Sequence, residues 1–257
     1  MPEITRAGGT IHWQADGPSN APALLFSNSL GSDLDLWLPQ LDVVRDRRVI
    51  RYDTRGHGRS TGTSSWTIDL LGEDALAVLD AAGAKRADFV GISLGGLTSM
   101  WLGIHAPDRV GKLVLANTGA KIGTPETWNQ RISAVQTEGL AAIADSVLAR
   151  WFTPGFAASH AGTVARIRHT LVHTPPHGSI ACCEALREAD LRNQIAAIKS
   201  PVLVVTGTHD LSTPPALGEF VRTRIDGARL VELDAAHISN VEQAEAFNRA
   251  MLEFFSA

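Results

Sequence analysis

The run Gly91-Ile92-Ser93-Leu94-Gly95 constrains the fold of this chain more than any other. It follows the apolar stretch Ala87-Asp88-Phe89-Val90 and precedes a helix-like segment, Gly96 to His105. A Gly-x-Ser-x-Gly pentapeptide between a strand and a helix is read as a turn so tight that only small residues fit beside the serine. Such a turn lifts the hydroxyl clear of the sheet edge. With 23 glycines in the chain, the pattern alone is weak, and its placement carries the weight. Two further residues fall in matching places. Asp210 lies just after the strand-like run Pro201 to Thr206, and His237 just after Arg229 to Leu233. Serine, aspartate and histidine, in that chain order, each follow the C-terminal end of an expected strand.

Apolar runs of strand length alternate with helical periodicities. Thr10-Ile11-His12-Trp13 is expected in an antiparallel hairpin, followed by Ala23 to Ser27, Arg48 to Tyr52 and Lys112 to Asn117 as strands. Ile68, Leu71, Ala75, Val78, Leu79 and Ala82 mark one face of a helix, and Ala244, Phe247, Met251 and Phe254 mark a closing one. Such alternation implies an α/β fold, a mostly parallel sheet with helices on both faces. With the triad order it implies the α/β-hydrolase fold. Between Thr118 and about Arg187 the alternation stops. Trp128 to Glu138, Leu140 to Trp151 and Thr163 to Val172 read as helices, with no convincing strand. The expected organisation is a core of residues 1–118 and 188–257 with a helical cap insertion at 119–187.

Composition excludes more than it assigns. The chain has 257 residues, 44% hydrophobic and 19% charged, with a net charge of -4. Neither nucleic acid nor an anionic membrane is an expected partner. No apolar leader precedes Ile4 and no run reaches transmembrane length, so a cytoplasmic protein is expected. Cys182 and Cys183 are adjacent, a spacing that disfavours a bridge between them and implies free thiols. His169, His173 and His177 share a four-residue spacing, but Pro175 and Pro176 break any helix that would align all three, so no metal site is expected. No glycine-rich phosphate loop is present, and no cofactor is implied.

Serine is a poor nucleophile at neutral pH, so Ser93 needs a base. His237 can take its proton and return it to the leaving oxygen, with Asp210 fixing the imidazole tautomer. Asp234 is a rival acid, but it belongs to the end of the strand before His237 and is too local to reach the far ring nitrogen. Asn117 ends the strand where some members of this fold carry the acid, and an amide supplies no charge. The oxyanion needs two backbone donors. The Leu94 amide follows the nucleophile at a helix start. By the position of the corresponding loop in related hydrolases, Leu30 is the second. The run Asp53 to Ser60 holds two arginines and a histidine and is read as structural.

Ser27-Asn28-Ser29-Leu30-Gly31, Arg51 to Gly58, Ala116-Asn117-Thr118, Arg150-Trp151-Phe152, Cys183 to Arg192 and Ala236 to Asn240 together resemble the 3-oxoadipate enol-lactonases. The resemblance spans nearly the whole chain, cap included. The elbow departs slightly, with Ile92 and Leu94 where Leu and Met are expected. Some relatives carry a decarboxylase fused after the lactonase; this chain ends soon after the helix following His237, so that second activity is not expected. The resemblance implies hydrolysis of a small lactone with a free carboxylate, within the β-ketoadipate pathway of aromatic degradation. Trp128, Arg131 and Trp151 are then candidates for substrate binding, with Arg150 in reserve for the carboxylate. A broader esterase, lactonase or perhydrolase shares the same triad, and a ligand-binding receptor on this fold is a remote alternative. Homo-oligomerisation stays open.

Overall fold

Eight strands form among the described residues, the central ones apolar enough to need both faces buried. In this computed structural model, which describes residues 2–63 and 65–257, they are β1 (Glu3–Arg6), β2 (Gly9–Asp16), β3 (Ala23–Ser27), β4 (Arg48–Tyr52), β5 (Ala87–Ile92), β6 (Val110–Ala116), β7 (Val202–Gly207) and β8 (Arg229–Leu233). They hydrogen-bond into one sheet in the order β1-β2-β4-β3-β5-β6-β7-β8. β1–β2 and β2–β4 are antiparallel, and every other pair is parallel. The expected hairpin of Thr10–Trp13 is there, with β1 as a partner strand that the polar sequence Glu3–Arg6 did not advertise.

Side chains alternate across the pleat, so each strand feeds two cores. Leu25, Phe89, Leu113, Leu115 and Val204 point to one face, where α2 (Ile68–Ala81) and α3 (Leu94–His105) cover them. Phe26, Val90, Ile92, Val114 and Val205 point to the other, against Phe247, Met251 and Phe254 of α10 (Ala244–Ser256); α1 (Leu38–Leu41), α8 (Pro215–Arg224) and α9 (Ser239–Glu242) lie outside residues 125–188 as well. Fully burying one such side chain is worth roughly 1.5–3 kcal/mol. The parallel strands are therefore apolar on both sides, as their unbroken sequence runs require.

No strand interrupts residues 125–188, where α4 (Pro125–Trp151), α5 (Pro154–Ser159), α6 (Ala161–His173) and α7 (Pro176–Glu188) follow one another. Residues 128–138 and 140–151 join as α4, broken at Gly139, whose φ of 78° leaves the helical region. α5 and α7 were not read from the sequence. Pro175-Pro176 was read only as a break, yet Pro176 is also a helix start, since the first helical residue needs no amide donor. Cys182 and Cys183 are free and buried within α7. The rings of His169 and His173 on α6 meet at a tilt of 34° with centroids 3.9 Å apart, and His177 belongs to the next helix.

Arg55, with no exposed surface, donates from Nε and Nη2 to the two oxygens of Asp74 at 2.8 and 2.7 Å. Asp53 accepts from Leu34 N, His12 Nδ1 and Arg59 N at 2.9, 3.0 and 2.9 Å, which pins the loop after β3 to the loop after β4. Both contacts are structural, as the run Asp53 to Ser60 was read. Asp74→Ala should destabilise the protein by about 3–5 kcal/mol, because it strands a buried guanidinium. Urea denaturation checks this; a loss under about 1 kcal/mol would mean that water reaches the freed guanidinium and solvates it.

Candidate active site

The chain must reverse within one residue between β5 and α3, and Ser93 does so with φ 57° and ψ −116°. This is strained backbone for a residue with a side chain. The neighbouring glycines explain why the strain persists. A Cβ on Gly91 would stand 2.2 Å from Gly95 O, and one on Gly95 would stand 2.1 Å from Ser27 O. Larger residues cannot occupy either place, so α3 packs directly on β3 and β5. Ser93 N donates to Ala116 O at 3.0 Å, and Thr118 Oγ1 donates to Ser93 O at 2.7 Å. As the first residue of α3, Leu94 has an amide with no intrahelical acceptor.

The loop after β3 is shaped by buried polar contacts. Asn28 Nδ2 donates to Tyr52 O at 2.7 Å, and Asn28 Oδ1 accepts from Trp37 Nε1 at 2.9 Å. Leu30 and Gly31 follow, both buried. A Cβ on Gly31 would meet Leu171 at 2.6 Å and the Trp151 ring at 3.6 Å.

Asp210 and His237 lie on the loops after β7 and β8 and are both buried. His237 Nδ1 is 2.8 Å from Asp210 Oδ2. The same oxygen accepts from Thr213 Oγ1 at 2.6 Å and from Asn117 Nδ2 at 3.0 Å, and Oδ1 accepts from the Ser212 and Thr213 amides, both at 2.8 Å. Burial opposes ionisation of Asp210, but the facing His237 and these hydrogen bonds outweigh it and hold the carboxyl below its usual value. Asp234 turns away, its Oδ1 2.8 Å from His209 Nε2 in the open.

Asn117 was noted in the sequence only as a residue unable to supply charge, and its geometry gives it more to do. It holds φ 44° with its side chain fully buried. Its amide nitrogen bridges Asp210 and Ala236 O, the latter at 3.1 Å, and its oxygen accepts from Ser239 Oγ. Glu242 is a second unforeseen part. Its carboxylate accepts from Ala236 N at 2.8 Å and from Thr153 N at 3.1 Å, tying the histidine loop to the end of α4. Ile238 N donates to Trp151 O at 3.1 Å on the other side of His237. Asn117 carried only one signal in the sequence, its place at a strand end where some members of the fold hold an acid, and Glu242 carried none.

Trp128 and Arg131 share one wall of a cleft of ≈ 470 Å³ that also meets Arg150, Leu211 and Ser212. Trp151 stands apart from it, beside Gly31, and Ser93 and His237 are not among the cleft's walls. Trp128 Nε1 is satisfied by Ile122 O at 2.6 Å. Arg131 is not satisfied: its Nε and Nη2 are shielded from water and meet no acceptor among the described residues.

The sequence pattern of the alpha/beta hydrolase fold matches residues 22–244, and the chain belongs to that family. Within it, the resemblance to enol-lactonases holds at full length. The chain is 44% identical over 250 residues to 3-oxoadipate enol-lactonase 2 of Acinetobacter baylyi, covering 96% of this chain and 94% of that protein. It is 42% identical over 243 residues to 3-oxoadipate enol-lactonase 1 of the same organism, covering 94% and 91%. The crystal structure of the enol-lactonase from Burkholderia xenovorans LB400 matches with a TM-score of 0.98 at 44% identity, each chain covered in full.

Asn117→Asp should set a second carboxylate at the place of an amide that now lies 3.0 Å from Asp210 Oδ2. The added charge favours a proton on His237 or on the carboxylate pair, so the neutral base appears only at higher pH. The acid limb of the kcat–pH profile should move upward by about one unit or more. An unmoved limb would show that Asn117 does not act on the pair.

Proposed function

We propose that this protein is a serine hydrolase that opens 3-oxoadipate enol-lactone to 3-oxoadipate, with residues 119–187 acting as its cap. The observation that carries this reading is the extent of the likeness, which runs through the helices of 125–188 as well as the sheet. Specificity in this fold resides in such insertions, whereas the triad is common to many chemistries.

In the proposed sequence Ser93 Oγ attacks the lactone carbonyl while His237 Nε2 takes its proton. Asp210 holds Nδ1–H and stabilises the imidazolium. The Leu30 and Leu94 amides receive the oxyanion. Collapse breaks the ring C–O bond and expels an enol oxygen, which takes the proton from His237 and tautomerises to a ketone. Water, deprotonated by the same imidazole, then cleaves the acyl-enzyme and releases the second carboxylate. The residues supply every proton transfer themselves. Arg131, with Trp128 beside it in the cleft wall, recognises the free carboxylate of the lactone, and Trp151 walls the chamber near Gly31. Two free thiols accord with a cytoplasmic setting, and no helix of the described residues is long and apolar enough to cross a membrane.

Purified protein should open the enol-lactone with a kcat/KM above that for a simple aryl ester; the reverse order would assign it to broader esterases. Ser93→Ala should lower kcat by at least ~10³-fold, and Asp210→Asn by on the order of 10⁴-fold through the wrong imidazole tautomer. Asp234→Asn should be nearly silent, and a larger loss there than at Asp210 would reverse the choice of acid.

Arg131→Ala should lower kcat/KM for the lactone by about 10- to 150-fold, the value of a charged hydrogen bond. It should leave an uncharged ester of similar size far less affected. Equal losses on both substrates would make Arg131 structural, and no loss on either would move attention to Arg150.

A further inference from the structure

The hydroxyl of Thr213 lies against both members of the acid–base pair. Its Oγ1 is 2.6 Å from Asp210 Oδ2 and 3.1 Å from His237 Nδ1, and those two atoms are themselves 2.8 Å apart. The three atoms close an acute triangle, and all three residues are buried. Local sequence places the hydroxyl there. A residue before proline is kept away from the helical region, and Thr213 precedes Pro214-Pro215, where α8 begins. Its β-branched side chain has few rotamers to choose from. The Thr213 amide donates to Asp210 Oδ1 at 2.8 Å, so main chain and side chain hold opposite oxygens of one carboxylate.

The hydrogens of this triangle can be assigned. The Asp210 carboxyl is ionised at neutral pH, so Oδ2 only accepts. Thr213 has one hydroxyl hydrogen, and it points to Oδ2. A lone pair of Oγ1 then faces His237. Nδ1 therefore meets two acceptors, Oδ2 and Oγ1, and neither offers it a hydrogen. A ring with its proton on Nδ1 satisfies both. A ring with its proton on Nε2 would set a bare Nδ1 against two oxygens, or draw the Thr213 hydrogen away from a buried carboxylate. Only the first tautomer leaves Nε2 open to the Ser93 proton. Asp210 alone favours the same tautomer, but one hydrogen bond lets the ring swing about it. A second acceptor beside the first narrows that swing.

We propose that Thr213 is a positioning residue for His237: its hydroxyl donates to Asp210 Oδ2, faces Nδ1 as a second acceptor, and so holds the imidazole in the tautomer and orientation that proton transfer from Ser93 needs. This rests on the roles of Ser93, Asp210 and His237 given above and extends them. The Thr213 hydrogen stays on its own oxygen throughout, and the hydroxyl acts only through the pair. A threonine kept merely to complete the loop would cost the same whether or not His237 were there; a positioning residue costs nothing once the ring is gone.

The test is a set of variants of the whole protein, with rates read on the lactone and on a simple aryl ester. Thr213→Val keeps the shape and removes the hydroxyl. It should lower kcat about tenfold on both substrates and move KM by less than about twofold. Thr213→Ser keeps the hydroxyl and should return kcat to within about threefold of the wild type. In a His237→Ala background no imidazole is left to position, so adding Thr213→Val should change the residual rate by less than about twofold. A tenfold loss that persists in that background, a loss confined to KM, or a Thr213→Ser no faster than Thr213→Val overturns the proposal. Should Thr213→Val fail to fold, Thr213→Ser and Thr213→Ala decide, since they differ by the hydroxyl alone. The serine variant should have a kcat about fivefold higher or more, and equal values overturn the proposal. If Ser93→Ala and His237→Ala keep the full rate on both substrates, the triad reading falls and the role of Thr213 with it. If both lose it while Thr213→Val does not, only the role of Thr213 falls.

Discussion

The close approach of α3 to β3 and β5 is the constraint from which the rest of the site follows. Gly91, Gly95 and Ser27 touch backbone to backbone, and no side chain can be inserted between them. That contact forces Ser93 into a conformation costing roughly 1–3 kcal/mol, offset by the apolar surface that α3 buries on the sheet. It also fixes two other things at once. The Leu94 amide is directed outward from the helix start, and the loop carrying Leu30 begins at Ser27, the residue Gly95 abuts. Ser93, the proposed nucleophile, and both proposed oxyanion donors are thus set by one packing contact.

The second half of the site is organised by charge. Asp210 collects five donors, from its own loop, from Thr213, from His237 and from Asn117 on a different strand. A carboxylate so surrounded stays ionised despite its burial, and its orientation toward His237 is fixed. Beyond it, Glu242 joins the residue before His237 to Thr153, while Trp151 holds the residue after. The end of α4 therefore grips the histidine loop on both flanks. A shift of that helix end would carry the loop of His237 with it, so the helices of 125–188 and His237 are coupled through these bonds.

The parallel strands, the elbow and the Asp210–His237 pair were legible because each is enforced by a local rule. Both-face burial gives an unbroken apolar run, a backbone collision requires glycine, and an acid and a base follow two such runs. What escaped notice depended on partners distant in sequence. β1 is polar and exists only because β2 offers it a ladder. α7 opens at a proline pair, which marks both the end of one helix and the start of another. Asn117 and Glu242 have no distinguishing neighbours; only the return of the chain at Asp210 and Thr153 gives them a function. Trp128, Arg131 and Trp151 were grouped by their resemblance to one family, and the structure separates them, with two in the cleft wall and the third beside Gly31.

Two arginines show how structure and chemistry can be told apart in such a chain. Arg55 and Arg131 each place guanidinium nitrogens out of reach of water. At Arg55 the charge is met by both oxygens of Asp74, so its desolvation is compensated within the protein and nothing further is asked of it. At Arg131 no carboxylate of the described residues comes within ion-pair distance, and two nitrogens have no acceptor. Burying a cation this way weakens the folded state. A protein that tolerates it gains only when something outside the chain brings the missing anion. In the function proposed above, that uncompensated charge is what would favour a ligand carrying a carboxylate.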